Sequence, residues 1–330
     1  MPIERVTVAG DPVSAVAIEG AAATEAAGAP LAHRVPPPLA GHRRAAVLRD
    51  YLALTKPRII GLLLVTTVAA MFVADPSGPA LATVLWTILG GYLAAGGAGA
   101  VNHYLERDRD ARMARTCGRP LVAGRIEPNR GLLFGISLGA LGIAELALVV
   151  NVLAAVLALA GLLGYVLVYT LWLKPRTPQN IVIGGAAGAV PPLVGWAAAT
   201  GRLTWNALYA FAVVFLWTPP HFWALALLVK DDYARTGIPM LPVARGEAAT
   251  RRRILAYSVV MVAFTAMPFL TGLFGAPYLA IALGLGGGFI GLAAWLVLRP
   301  SRAAAIRLHL ASLAYLAALF AAMAADRVVG

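Results

Sequence analysis

Residues 80–110 read ALATVLWTILGGYLAAGGAGAVNHYLERDRD, and this stretch decides the fold. Positions 80–101 carry no charge, and a run of about 20 such residues is what a helix needs to cross a hydrocarbon core of roughly 30 Å. The run passes directly into Asn102-His103-Tyr104-Leu105-Glu106-Arg107-Asp108-Arg109-Asp110. Asn102, Glu106 and Asp110 fall at i, i+4 and i+8, so one helix would present all three on one face at a membrane border. Two carboxylates a turn apart can hold a hard divalent cation, whose remaining ligands are water or substrate phosphate oxygens. The stretch therefore implies a membrane-embedded helix whose end handles a diphosphate.

The rest of the chain repeats the apolar part of this pattern. Of 330 residues 60% are apolar and only 13% charged, the composition of a polytopic membrane protein. Spans are expected at 59–74, 80–101, 132–150, 152–173, 180–200, 205–229, 254–274, 277–298 and 304–325, with Asn151 dividing the third from the fourth. The fold class is thus an all-α bundle of nine transmembrane helices. With the N-terminus in the cytoplasm, all of the 27 Lys and Arg residues except Arg202 and Arg327 fall on the inside, as the positive-inside rule requires. The formal charge of +12 then faces anionic membrane lipid, and no nucleic-acid partner is needed to explain it. Residues 1–45, rich in Ala, Pro and Gly, read as a disordered cytoplasmic tail without signal-peptide or transit-peptide pattern, leaving 46–330 as the intramembrane domain. The single cysteine, Cys117, excludes an internal disulfide and a thiolate metal cluster.

A second acidic cluster, Lys230-Asp231-Asp232-Tyr233, follows the sixth span, four crossings after the first cluster, so both emerge on the cytoplasmic face. Lys56-Pro57-Arg58 before span one is echoed by Lys174-Pro175-Arg176 before span five, which suggests a duplicated four-helix unit with a ninth helix added.

Several motifs together carry a resemblance: Leu54-Thr55-Lys56-Pro57-Arg58, the Asn102/Glu106/Asp110 stripe running into Arg115-Thr116 and Arg119-Pro120-Leu121, Thr177-Pro178-Gln179-Asn180, Trp217-Thr218-Pro219-Pro220-His221-Phe222-Trp223, and Asp231-Asp232-Tyr233 through Gly237-Ile238-Pro239-Met240-Leu241-Pro242-Val243. Over residues 48–325 the chain resembles the haem-farnesylating branch of the UbiA-type intramembrane prenyltransferases. That resemblance implies a helical bundle around a central cavity in a bacterial inner membrane, open toward the cytoplasm. It also implies transfer of a farnesyl group from farnesyl diphosphate to a vinyl substituent of haem B, giving haem O, with haem B as substrate rather than prosthetic group. The product would pass to a haem A synthase or to terminal oxidase assembly factors. Two positions depart from the pattern: Glu106 stands where Asp is usual, and Arg235 stands where the wider family often has a second Asp.

Ionising an allylic diphosphate requires its leaving charge to be neutralised, ordinarily by Mg²⁺ (or Mn²⁺) and by Lys or Arg. Glu106, Asp110 and Asp232, with Asp231 as a weaker candidate, are the expected metal ligands, and Asn102 an oxygen donor or an orienter of the others. Lys56, Arg115, Arg119, Lys174 and Lys230 are the expected diphosphate contacts, and Asn180 and Tyr233 are further expected substrate-binding residues. Trp217 and His221 lie inside an apolar span beside a Pro pair, which points to a cavity; His221 would ligate haem iron or pair with a propionate, unless it merely satisfies carbonyls that the prolines free. A prenyltransferase for a quinone precursor shares the acidic motifs but does not require the 217–223 segment. An ion-coupled transporter would place its acids at mid-bilayer, where only Glu145 lies.

Overall fold

The computed structural model describes residues 40–329, with side chains from residue 45. The tail assigned to 1–45 lies outside the described residues up to position 39, and a helix, α1 (Ala40–Thr55), occupies the remainder of it. The other helices are α2 (Pro57–Ala74), α3 (Leu81–Asp110), α4 (Pro128–Glu145), α5 (Val152–Leu163), α6 (Asn180–Gly188), α7 (Pro191–Thr200), α8 (Trp205–Leu228), α9 (Lys230–Arg235), α10 (Leu241–Arg245), α11 (Glu247–Leu270), α12 (Ala276–Leu298) and α13 (Arg302–Val329). The described residues contain no strand, and nine helical segments among them are long and apolar enough to cross a membrane. The protein is a multi-pass membrane protein.

Elements start and stop where the local chemistry requires. Pro57, Pro128, Pro191 and Pro277 sit in the first turns of their helices, where a missing N–H costs nothing. Asn151 separates the third and fourth spans: its side-chain oxygen accepts from the Ala154 N–H (2.8 Å), and its amide donates to the Ala197 carbonyl (2.8 Å). The span expected at 180–200 is broken in mid-membrane, because Pro191 and Pro192 cannot continue α6, so α7 begins a new helix behind Ala189 and Val190. The third and fourth spans each end in π-helical winding, at Leu146–Val150 and Gly164–Leu173.

The spans close into a ring. The α2 helix packs on α3 and α7, α3 on α4, α8 on α11, α11 on α12 and α12 on α13, and α13 returns to α2 and α8. Small residues permit the tightest of these contacts. A Cβ on Gly97 of α3 would stand 2.4 Å from the Gly139 backbone nitrogen of α4, and one on Gly142 would stand 2.6 Å from that of Ala94. In lipid such close backbone approach replaces the hydrophobic drive that brings soluble helices together. Glu145, the one acid well inside a span, has its carboxylate enclosed against Gly90 of α3 with no hydrogen-bond partner among the described residues.

Gly97→Ala therefore forces α3 and α4 apart and should destabilise the detergent-purified protein by about 1–3 kcal/mol. Gly288→Ala, where nothing lies within 4 Å of the added methyl, should not lower the midpoint. Thermal unfolding of the two variants checks this, and equal midpoints would refute the packing account.

Candidate functional site

The α3 helix continues unbroken through its polar end, and that end is buried. Asn102, Glu106 and Asp110 are 1%, 4% and 3% exposed, so the stripe is an interior face rather than a solvated helix terminus. Charges at such a place must be paired, and each carboxylate is. Lys174 bonds Glu106, and Arg119 bonds Asp110. Asn102 is fixed from both ends: its Oδ1 accepts from Lys56 Nζ (2.6 Å) and its Nδ2 donates to Thr170 Oγ1 (3.1 Å). Its oxygen is thereby committed to a lysine.

Local geometry delivers these cations. Lys56 sits between α1 and α2 in the left-handed region (φ 57°, ψ 53°), at a cost of about 1–2 kcal/mol for a residue with a Cβ, and it is the non-glycine residue with positive φ among those described. The turn sends its side chain inward to Asn102 and Tyr165. Burial, with the Arg119 guanidinium next in effect and Glu106 opposing, pushes the Lys56 ammonium down to about 7, so a bound anion would be needed to hold it fully charged near neutrality. Lys174 arrives differently. The i→i−5 winding of the fourth span, in which the Lys174 N–H bonds the Tyr169 carbonyl (2.9 Å), brings Tyr165, Thr170 and Lys174 onto the side facing α3. The echo seen in the sequence thus ends in one place, with Lys56 on Asn102 and Lys174 on Glu106.

The second acidic cluster reaches the first through the loop after α3. Asp232 is 7% exposed and bonds Arg235, and its Oδ1 also accepts from the Ala114 backbone N–H (3.2 Å), four residues beyond Asp110. The same loop is braced by Thr116 donating to the Asp110 carbonyl (2.9 Å). Tyr233 is buried beside them, its phenol pushed up to about 12 by burial, with the Arg115 guanidinium opposing that shift and the Glu106 carboxylate adding to it.

Other candidates lie elsewhere. Asp231 is exposed, and Lys230 pairs with Glu247, which Arg251 also bonds. Arg115 is exposed. Asn180 is fully buried, donating to the Thr177 carbonyl (2.6 Å) while its side-chain oxygen has no partner among the described residues. Trp217 and His221 form a second group deeper in the bundle: the His221 ring stacks on Trp217 (centroids 4.1 Å) and on His309 (4.6 Å), and its Nδ1 meets Ser312 Oγ at 2.6 Å. His221 makes no bond to the Phe215 or Leu216 carbonyls that Pro219 and Pro220 free, so it does not patch the helix. Tyr165, Thr170, His309 and Ser312 were not legible as site residues, because each is an isolated polar side chain in an apolar run until its helix is docked.

Three buried carboxylates from two elements, all hard oxygen donors, suit a small divalent cation. Among the described residues no three His, Cys, Asp or Glu side chains are gathered as a ready cage, since Lys174, Arg119 and Arg235 hold the carboxylates. Those same cations can exchange carboxylate for phosphate oxygen, so the donor set fits the metal.

Residues 63–322 match the UbiA prenyltransferase family, and the chain belongs to that family. Within it, the chain is similar to proteins named Protoheme IX farnesyltransferase. The one from Symbiobacterium thermophilum is 53% identical over 85% of this chain and 94% of its own length. Those from Roseiflexus sp. (51% identical, 87% of this chain) and Thermus thermophilus (52%, 86%) are longer proteins, and the chain spans 54% and 47% of them, about half their length. Among solved structures, a digeranylgeranylglyceryl phosphate synthase superposes with a TM-score of 0.71 at 18% identity over 86% of this chain and all of that one. A UbiA homologue from Archaeoglobus fulgidus bound to DMAPP and Mg²⁺ gives 0.64 at 19% identity over 83% of this chain and 99% of that one. At these identities the structures establish a shared fold.

Breaking either buried pair strands its partner. Glu106→Gln and Lys174→Met should each destabilise the protein by about 3–5 kcal/mol, while the double variant recovers part of the loss because no charge is left unpaired. Unfolding midpoints for the three variants test this; additive losses in the double variant would show that the two groups are not coupled.

Proposed function

We propose that the protein transfers the farnesyl group of farnesyl diphosphate to a vinyl substituent of protohaem IX (haem B), forming haem O. The observation that carries this reading is the buried face of α3, where Asn102, Glu106 and Asp110 are held by Lys56, Lys174 and Arg119. The similarity to proteins named Protoheme IX farnesyltransferase supports haem as the acceptor. The distribution of Lys and Arg supports a site open to the cytoplasm, the bacterial relatives support a bacterial inner membrane setting, and the family match supports residues 46–330 as the catalytic domain.

A bound Mg²⁺, held by Glu106, Asp110 and Asp232, would supply charge neutralisation for the leaving diphosphate. The chain's own groups do the rest. Lys56, Lys174 and Arg119 give up their carboxylate or amide partners and donate to diphosphate oxygens, so the C–O bond breaks with both electrons going to the leaving group. Arg115 and Tyr233 stand at the same end of the bundle to complete the clasp. The terminal vinyl carbon then forms the new bond to the farnesyl carbon, and water adds to the cation left beside the macrocycle, losing a proton to give the hydroxyl. Apolar walls keep water from the allylic cation before that bond forms. Asn102, pinned between Lys56 and Thr170, keeps the lysine aimed before substrate arrives. At Glu106 the longer side chain pairs with Lys174 and keeps the negative charge of the usual Asp at this position.

Expressed in a host lacking haem O synthesis, the chain should yield a haem heavier by one farnesyl and one hydroxyl group, the vinyl having become a hydroxyethylfarnesyl substituent, read by mass spectrometry of haem extracts. An unchanged haem pool with the protein present in the membrane would sink the assignment. In purified protein Asp110→Asn and Asp232→Asn should each lower turnover by about 10²–10³-fold, the usual cost of removing one element of leaving-group stabilisation. Glu106→Asp should keep substantial activity and Glu106→Gln lose most of it. Full turnover in excess chelator would remove the metal from the mechanism.

A further inference from the structure

Helix α13 contributes two polar side chains, His309 and Ser312, to a cluster that the diphosphate site does not use. His221 lies seven residues before the end of α8 and His309 seven residues after the start of α13, each about 10 Å of helical rise from its helix terminus. The two meet at the same depth. The His221 ring is sandwiched, with Trp217 on one face at 16° and His309 on the other at 27°, so its plane is fixed. The Trp217 indole is in turn tied to the Ser312 carbonyl (2.8 Å).

The hydrogen bonds then fix a proton. Ser312 Oγ lies 2.6 Å from the His309 carbonyl oxygen, and a carbonyl only accepts, so the single hydroxyl proton of Ser312 is spent there. The same Oγ lies 2.6 Å from His221 Nδ1. With its proton committed, Oγ accepts, and His221 Nδ1 must carry the hydrogen. The imidazole is therefore the Nδ1–H tautomer, and Nε2 presents a bare lone pair. Nε2 has no hydrogen-bond partner among the described residues and is not among the atoms sealed by packing. An imidazole locked in plane, with one nitrogen anchored by a hydrogen bond and the other unprotonated, is the form that coordinates a transition metal.

We infer that Ser312 is a positioning residue that sets the tautomer of His221 and so presents Nε2 as an axial ligand to the iron of the haem acceptor. The inference rests on the haem-acceptor reading above. Ligation at this depth would hold the macrocycle against the Trp217/His221 side of the bundle by its metal, leaving the vinyl edge free to meet the allylic cation. The Ser312 acceptor also makes the bound imidazole a stronger donor and favours ferric over ferrous iron.

The test uses the purified full chain, ferric haem B and metal-free protoporphyrin IX. In the wild type, haem should give a histidine-ligated absorption and electron paramagnetic resonance signature, and His221→Ala should abolish that signature while leaving protoporphyrin IX binding within about threefold. Ser312→Ala should keep the ligation but raise the haem midpoint potential. The sharper arm adds free ligands to His221→Ala. Imidazole, which can donate to Ser312, should restore the signature at a concentration about fivefold lower than N-methylimidazole, which cannot, the difference expected for one hydrogen bond. That preference should vanish in the His221→Ala/Ser312→Ala double variant. Equal rescue by the two ligands, or a preference that survives loss of Ser312, overturns the role of Ser312. A haem signature unchanged in His221→Ala overturns the ligation while the acceptor reading stands. A wild-type protein that binds neither haem nor protoporphyrin IX and makes no haem O overturns both.

Discussion

The structure depends on the cost of burying charge. Glu106, Asp110 and Asp232 lie in the bundle interior, where an unpaired carboxylate would be intolerable, and Lys174, Arg119 and Arg235 answer them one for one. Pairing of this kind is weak evidence for stability, because desolvation consumes most of the Coulombic gain. Its value lies in what it prepares. Under the proposed function a diphosphate and a divalent cation would enter as one large negative and one positive charge, and the resident pairs could re-partner with them without leaving any group bare.

Two irregular backbone features make that arrangement reachable. The left-handed Lys56 turns a lysine inward at the α1–α2 junction, onto Asn102. The π-helical end of the fourth span aligns Tyr165, Thr170 and Lys174 toward α3. Strained or unusual backbone persists where its surroundings over-determine it, and here the surroundings are the Asn102 amide and the Glu106 carboxylate. The glycine contacts between α3 and α4 serve the same end, since they hold the long α3 helix in place through the bilayer.

Closure of the ring by α13 builds the second locus. Only when the ninth span returns to α2 and α8 do Ser312 and His309 reach His221. The polar face of α3 and the imidazole column are therefore assembled from opposite ends of the chain. Under the proposed function, the charged locus would handle the anionic diphosphate donor and the ring locus the flat aromatic macrocycle.

Much of this was legible in the chain alone. Hydrophobic run length and the absence of charge determine the nine spans, because lipid offers a backbone no other partner. The i, i+4, i+8 spacing places Asn102, Glu106 and Asp110 on one face, and Asn151 marks a helix boundary through its cap. The sequence motifs also carried the resemblance to the prenyltransferases. Tertiary structure decided the rest. Whether the α3 face is interior or solvated, which lysine meets which carboxylate, and that Lys230 turns to Glu247 while Asp231 stays outside, all depend on helix rotation and on the contacts of the 111–127 loop. Periodicity fixes which residues share a face but not what that face meets. The π-winding before Lys174 likewise follows from packing rather than from propensity, whereas the break at Pro191 is local, since the proline pair cannot continue α6. His309 and Ser312 show the limit most plainly: each is one polar residue in an apolar span, and only the fold, by setting them against His221 from the far end of the chain, decides which nitrogen of that ring is free.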